Sequence, residues 1–196
     1  LGPIGSDSYQ AASQFAPDAE LLLFTRITDV LAAFTEGRVK NAFVPVYNTR
    51  EGEVKDYFRL VAKMEHGFWV DNVVLPIHLS LGVLSRPSVG VTVTTIVGRS
   101  SVFRQCTEYI ETHYPDAILM AVHDIEAAMQ EIREENQGDY AVIESEEIIL
   151  RHGFSLIARE VVAYNRTRFA ILGHEYAPVT GYDATAVITR PLRDRV

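Results

Sequence analysis

Short apolar runs alternate with amphipathic stretches along the whole chain, which restricts it to sheets covered by helices. The order is plainest in the second half. Strands are expected at 93–97, 117–122, 140–143 and 154–162, separated by helices at 101–112, 124–134 and 145–151. The first half reads as helix 7–15 capped by Ser6 or Asp7, strand 21–24, and helix 27–35 closed by Gly37. Strand 41–46, containing Pro45, and helix 56–64 follow. The apolar stretch 73–84, interrupted by Pro76 and His78, reads as a strand passing from one lobe to another, and Ser85–Gly90 as a turn-rich break. Such alternation predicts an α/β fold with largely parallel sheets and ligands at the carboxyl ends of the strands, which draws attention to the polar segments after Val46 and Val97.

With 196 residues, 47% hydrophobic and 22% charged, the chain has the make-up of a globular protein with a sizeable core. Its net charge of −8 argues against nucleic acid as a partner but leaves room for a locally positive pocket. A single cysteine, Cys106, excludes an internal disulfide and fits a reducing cytoplasm. No apolar run is long enough to span a bilayer as a helix, and no metal-ligand spacing or glycine-rich phosphate loop occurs. Neither a metal nor a cofactor is expected. Leu1 reads as the end of a strand, as in a trimmed fragment.

Three polar, hydroxyl-bearing segments stand out. They are Leu1-Gly2-Pro3-Ile4-Gly5-Ser6, Val44-Pro45-Val46-Tyr47-Asn48-Thr49-Arg50-Glu51-Gly52-Glu53-Val54, and Asn165-Arg166-Thr167-Arg168-Phe169. Each begins or follows a strand-like run, an arrangement suited to holding a small anion. Taken singly they are ordinary turn and strand residues. Together with Ala11-Ala12, Pro76-Ile77, Gln105-Cys106, Tyr140-Ala141-Val142-Ile143 and Arg151-His152-Gly153-Phe154, their order resembles the prephenate dehydratase family. The resemblance runs from Leu1 to about Leu172.

That resemblance implies an α/β, two-lobed fold like the type II periplasmic binding proteins, with the active site in the interlobe cleft. Lobe 1 would comprise 1–79 and 160–182, and lobe 2 would comprise 80–159. Residues 183–196, with the alternating run Ala184 to Thr189, resemble the first strand of an ACT regulatory domain that stops short. The implied activity is decarboxylating dehydration of prephenate to phenylpyruvate in phenylalanine biosynthesis, without cofactor or metal. Thr167 is the implied catalytic residue at the leaving hydroxyl. Ser6, Asn48, Thr49, Arg99, Asn165, Arg168 and Phe169 are the implied substrate-binding residues, with Phe169 against the diene ring or the strand behind it. The implied partners are prephenate and, in the longer enzyme, phenylalanine as an allosteric ligand, in a homodimer or homotetramer. Nucleic acid and membrane are not expected partners.

The chain departs from the family pattern at Asp7, Tyr47, Thr49 and Arg99-Ser100-Ser101, where the family carries Phe, Glu, Ser and His-Pro-Gln. Arg99 places a fixed positive charge at a helix start, where it could hold a carboxylate or offset Asp7. Two alternatives stay open. One is a relative that decarboxylates prephenate without aromatising it. The other is a non-catalytic module that binds an aromatic acid.

Overall fold

A computed structural model describes residues 1–54, 57–64, 66–84 and 92–183. The expected turn-rich break Ser85–Gly90 and the ACT-like run from Ala184 lie outside the described residues. The described chain forms two compact units. The first takes Leu1–Asn48, Gly52–Leu75 and the described residues from Thr167 onward, and the second takes Thr49–Glu51 and Pro76–Arg166.

The first unit holds helices α1 (Asp7–Phe15), α2 (Ile27–Thr35) and α3 (Tyr57–Val61). Its strands are β1 (Ala42–Asn48), β2 (Gly52–Glu53) and β3 (Phe68–Pro76, its last residue at the boundary), with β9 (Arg166–Gly173) returning from the end of the chain. They lie in the order β2-β1-β9-β3. Both β2 and β9 run antiparallel to β1. Ser6 caps α1, its Oγ accepting a hydrogen bond from the Tyr9 N–H at 3.3 Å. Gly37, at φ 71°, ends α2. Its N–H bonds the Phe34 carbonyl and that of Arg38 bonds Ala33, a pairing open to a left-handed residue. One face of the sheet packs Ala42, Val44, Ala170 and Leu172 against Val30, Leu31 and Phe34 of α2. Phe34 is fully buried, and burying such a ring contributes about 1.5–3 kcal/mol. The other face carries Phe43, which stacks on Phe169 at 5.3 Å and lies 6.3 Å from Phe15 of α1.

The second unit holds β4 (Ser80–Val83), β5 (Thr95–Gly98), β6 (Ile118–Ala121), β7 (Tyr140–Glu144) and β8 (Ser155–Ala158), with α4 (Ser100–His113), α5 (Ile125–Glu134) and α6 (Glu146–Arg151). The strand order is β6-β5-β7-β4-β8. Pairs β5–β6 and β5–β7 are parallel, whereas β4 runs antiparallel to both β7 and β8. Asp124 and Ser145 cap α5 and α6 through side-chain oxygens that accept from Ala127 and Ile148. The core joins Val97 and Val142 of the sheet to Ile125, Met129 and Ile132 of α5.

Three expectations need correction. The second sheet is mixed, because β4 pairs antiparallel on both sides, and in the first sheet β1 runs antiparallel to both β2 and β9. Residues 21–24 belong to no strand, although their composition favours one. The apolar stretch 73–84 is two strands in two different sheets, β3 and β4, broken at Ile77–Leu79.

Candidate functional site

The sequence places Asn48 in a turn after a strand. The structure instead makes it the last residue of β1, 4% exposed. Its partner in β9 is Thr167, 8% exposed, and the Asn48 Nδ2 donates to the Thr167 Oγ1 at 3.0 Å. This pairing depends on a register shift between Pro45 and Tyr47. Ala42 faces Leu172, Val44 faces Ala170 and Pro45 faces Phe169. Beyond the shift Tyr47 faces Arg168 and Asn48 faces Thr167. Unbroken register would have set Tyr47 against Thr167 and Asn48 against Arg166. One extra residue in β1 therefore re-aims the amide. Pro45, which has no N–H to give to a ladder, stands at the shift.

The alternation of side chains along β9 separates two expected partners. Thr167 shares a face with Phe169 and Ile171, while Arg168 shares the opposite face with Ala170 and Leu172. Arg168 is exposed and makes no hydrogen bond or ion pair among the described residues. Phe169 is 1% exposed and stacked on Phe43 of the neighbouring strand. Ser6 spends its hydroxyl locally. Besides capping α1 it donates to the Leu1 carbonyl at 3.2 Å. As expected, the start of α1 also carries Asp7 in its first turn.

The second unit holds the remaining expected residues. The Thr49 Oγ1 donates to the Tyr164 carbonyl at 2.6 Å and accepts from the Arg166 N–H at 2.9 Å. Arg50 also reaches this segment, its Nε donating to the Ala163 carbonyl at 3.0 Å. Thr49 thus fastens its own segment to the chain leading into β9, which accounts for both hydrogen-bonding capacities of its hydroxyl. Arg99 precedes α4 at the carboxyl end of β5, and its Nη2 donates to the Glu144 Oε2 at 2.8 Å. Glu144 is 3% exposed, ends β7, and accepts from the Ser145 N–H through Oε1 at 2.9 Å. The Arg99 Nε is buried without a hydrogen-bond partner. The extra positive charge read from the sequence is therefore matched by a carboxylate within its own unit.

Asn165 is 4% exposed and donates to the Gln105 Oε1 at 2.7 Å. Gln105 Nε2 donates in turn to the Glu51 Oε1 at 2.7 Å, and Arg104 Nε to the Glu51 Oε2 at 2.9 Å. The sequence reading assigned no site role to Gln105, Glu51 or Glu144. Gln105 was visible as part of the Gln-Cys pair, but its attachment to Asn165, 60 positions away, appears only in three dimensions. Cys106 next to it is 1% exposed, and burial pushes its thiol up to about 12, which makes it a core residue and not a nucleophile. No cluster able to hold a metal ion occurs among the described residues.

These clusters sit on a mixed α/β fold of two sheet-based units. The chain belongs to the prephenate dehydratase family, whose model matches residues 1–177. It is 27% identical over 177 residues to a prephenate dehydratase of Lactococcus lactis subsp. lactis, an alignment covering 89% of this chain and 62% of the relative. It is 29% identical over 194 residues to a bifunctional chorismate mutase/prephenate dehydratase of Stutzerimonas stutzeri, covering 96% of this chain and 51% of the relative. The chain thus spans about half to three fifths of the length of these relatives. Among solved structures, a prephenate dehydratase from Arthrobacter aurescens in complex with L-Phe matches with a TM-score of 0.69 and 24% identity, over 92% of this chain and 62% of that one. That likeness supports the fold.

Proposed function

We propose that this chain is the catalytic region of a prephenate dehydratase, converting prephenate to phenylpyruvate with loss of carbon dioxide and water. The observation that carries this reading is the buried Asn48–Thr167 hydrogen bond, at motifs where the chain matches its family. The Thr167 oxygen accepts from Asn48, so its own proton stays free to be donated. An alcohol is a weak acid in water. A donor aimed at its oxygen in a dry setting stabilises the negative charge left when the proton departs.

The reaction then needs little else. The electrons of the ring carboxylate's C–C bond enter the ring, carbon dioxide leaves, and the ring hydroxyl departs as water with the proton from Thr167, which then regains a proton from solvent. Aromatisation supplies the driving force. A rate gain of about 10⁶ requires roughly 8 kcal/mol, which proton donation and alignment together can provide. Arg168 is proposed to bind a substrate carboxylate, since its guanidinium is exposed and uncommitted among the described residues. Asn165 is proposed as a substrate donor held in place by Gln105 and Glu51. Arg99 is proposed to contribute a charge tempered by Glu144, and Ser6 and Thr49 to shape their segments. Burial of Phe169 favours a supporting role behind Thr167.

In the longer protein, phenylalanine is proposed as a regulatory ligand, and a homodimer or homotetramer as its assembly in the cytoplasm. No described helix is long and apolar enough to cross a membrane. The test is incubation with prephenate followed by proton NMR. Phenylpyruvate formed faster than in an enzyme-free control supports the dehydratase. A non-aromatic decarboxylated product, or binding without turnover, overturns it in favour of one of the two alternatives.

A further inference from the structure

One edge of the second sheet is apolar and open. β6 pairs with β5 on one side, and among the described residues no strand pairs with it on the other. Open edges are usually kept from pairing by charge or proline. β3, an edge of the first sheet, carries Asp71 and Asn72 and ends in Pro76. β6 is Ile118-Leu119-Met120-Ala121, without charge or proline. All four residues are exposed, the first three at 67%, 46% and 42%. Side chains alternate along a strand, so both faces of β6 meet solvent as well as its edge. Its neighbour β5 is buried at every residue.

The backbone fixes how a partner strand pairs here. The Ile118 N–H donates to the Thr94 carbonyl at 2.8 Å, and the Val122 N–H to that of Gly98 at 2.9 Å. By the two-residue period of a strand, Leu119 and Ala121 turn their N–H and carbonyl groups to the open side. A second β6 laid antiparallel about a two-fold axis has two centred registers. With Met120 opposite Met120, Asp116 falls opposite Asp124, a like-charge pair. With Leu119 opposite Leu119, Ile118 faces Met120 and Asp116 falls opposite Val122, next to His123. Asp116 and His123 are both exposed, so the strand's two ends complement each other in charge when it meets its own copy head to tail.

We propose that β6 is the contact through which two copies of this chain pair, antiparallel and centred on Leu119, joining two five-stranded sheets into one. The Leu119 N–H donates to the Leu119 carbonyl of the second copy, and the Ala121 N–H to its Ala117 carbonyl, each bond made twice by symmetry. The pairing satisfies the open backbone groups and removes the edge. The inference is independent of the proposed activity.

Sedimentation equilibrium of the purified chain over a wide concentration range, with hydrogen exchange read amide by amide, tests it. The chain should form a dimer. The amides of Leu119 and Ala121 should exchange at least about tenfold more slowly as the dimer fills, while those of α5 do not change. Leu119→Lys places two ammonium groups opposite each other and should weaken the dimer at least about tenfold. Circular dichroism checks that this variant keeps its fold. Asp116→Lys should also weaken the dimer, and adding His123→Glu to it should restore the pairing. A monomer at every concentration overturns the proposal. So does a dimer that Leu119→Lys leaves intact, or protection of Leu119 and Ala121 in the monomer, which would assign the edge to another segment of the same chain. Failure of the charge exchange to restore the dimer overturns the register centred on Leu119.

Discussion

Asn48 and Thr167 stand opposite each other across two antiparallel strands, 119 positions apart in the chain, because β1 carries one residue more than β9 can match. The amide and the hydroxyl meet in a buried setting where each is the other's hydrogen-bond partner. The two motifs on either side of this contact mark places where the chain passes from one unit to the other, between Asn48 and Thr49 and between Arg166 and Thr167.

Replacing Thr167 by Ala is expected to lower kcat by about 10²–10⁴-fold while leaving prephenate affinity nearly unchanged, as removal of a general acid does. Thr167→Ser should recover most of the activity, because it restores the proton. Steady-state assay of phenylpyruvate together with calorimetric titration gives both quantities. Unchanged turnover in the alanine variant would remove Thr167 from the chemistry.

Asn48→Ala should act through the same group. Its effect on kcat is expected to be smaller than that of Thr167→Ala, and the double variant should be no slower than Thr167→Ala alone. Additive losses in this cycle would show that the two residues work independently.

Arg168→Lys should weaken prephenate binding by about tenfold, since an ammonium cannot reproduce the two-pronged contact of a guanidinium with a carboxylate. The melting temperature should stay the same, because the side chain is exposed and makes no ion pair among the described residues. Equal affinity by calorimetry would place Arg168 away from the substrate.

Glu144→Ala would leave Arg99 half-buried beside a helix start with no counter-charge. A loss of roughly 2 kcal/mol in denaturant unfolding is expected, below the figure for a fully buried pair because Arg99 is 33% exposed. Glu144→Gln should lose less, as its amide oxygen can still accept from Ser145 or Arg99.

Stability should decline in alkali. Burial pushes the Cys106 thiol and the Tyr57 hydroxyl each up to about 12, from 9.0 and 10.0 respectively. Between those ordinary values and 12 the folded chain holds protons that the unfolded chain has released, so the balance tips toward unfolding as pH rises above about 9. Melting temperatures from pH 8 to 11 measure this. Cys106→Ala should flatten the first part of the decline.

Local chemistry made much of the fold legible in the sequence. Ser6, Asp124 and Ser145 precede helices because a short polar side chain can hold the first free N–H groups. Gly37 and Gly153 follow helices because the closing turn takes a positive φ. The alternation of exposed and buried residues from Arg166 to Phe169 accords with their own order of charged and strand-favouring side chains. These are short-range effects, decided by residues within one turn or one strand of each other. The ordered motifs also carried the family, since their spacing survives in the chain itself.

The tertiary structure decided what depends on distant partners. Residues 21–24 have the composition of a strand, but a strand exists only where another backbone pairs along it, and among the described residues they join no ladder. The direction of β4 follows from which sheet it joins and not from its own residues. Whether Arg99 is a free cation or one half of a pair depended on Glu144, 45 positions later. The same holds for Asn48. Its type was readable as a donor, but its target was fixed by a one-residue shift in register, which no property of Asn48 records.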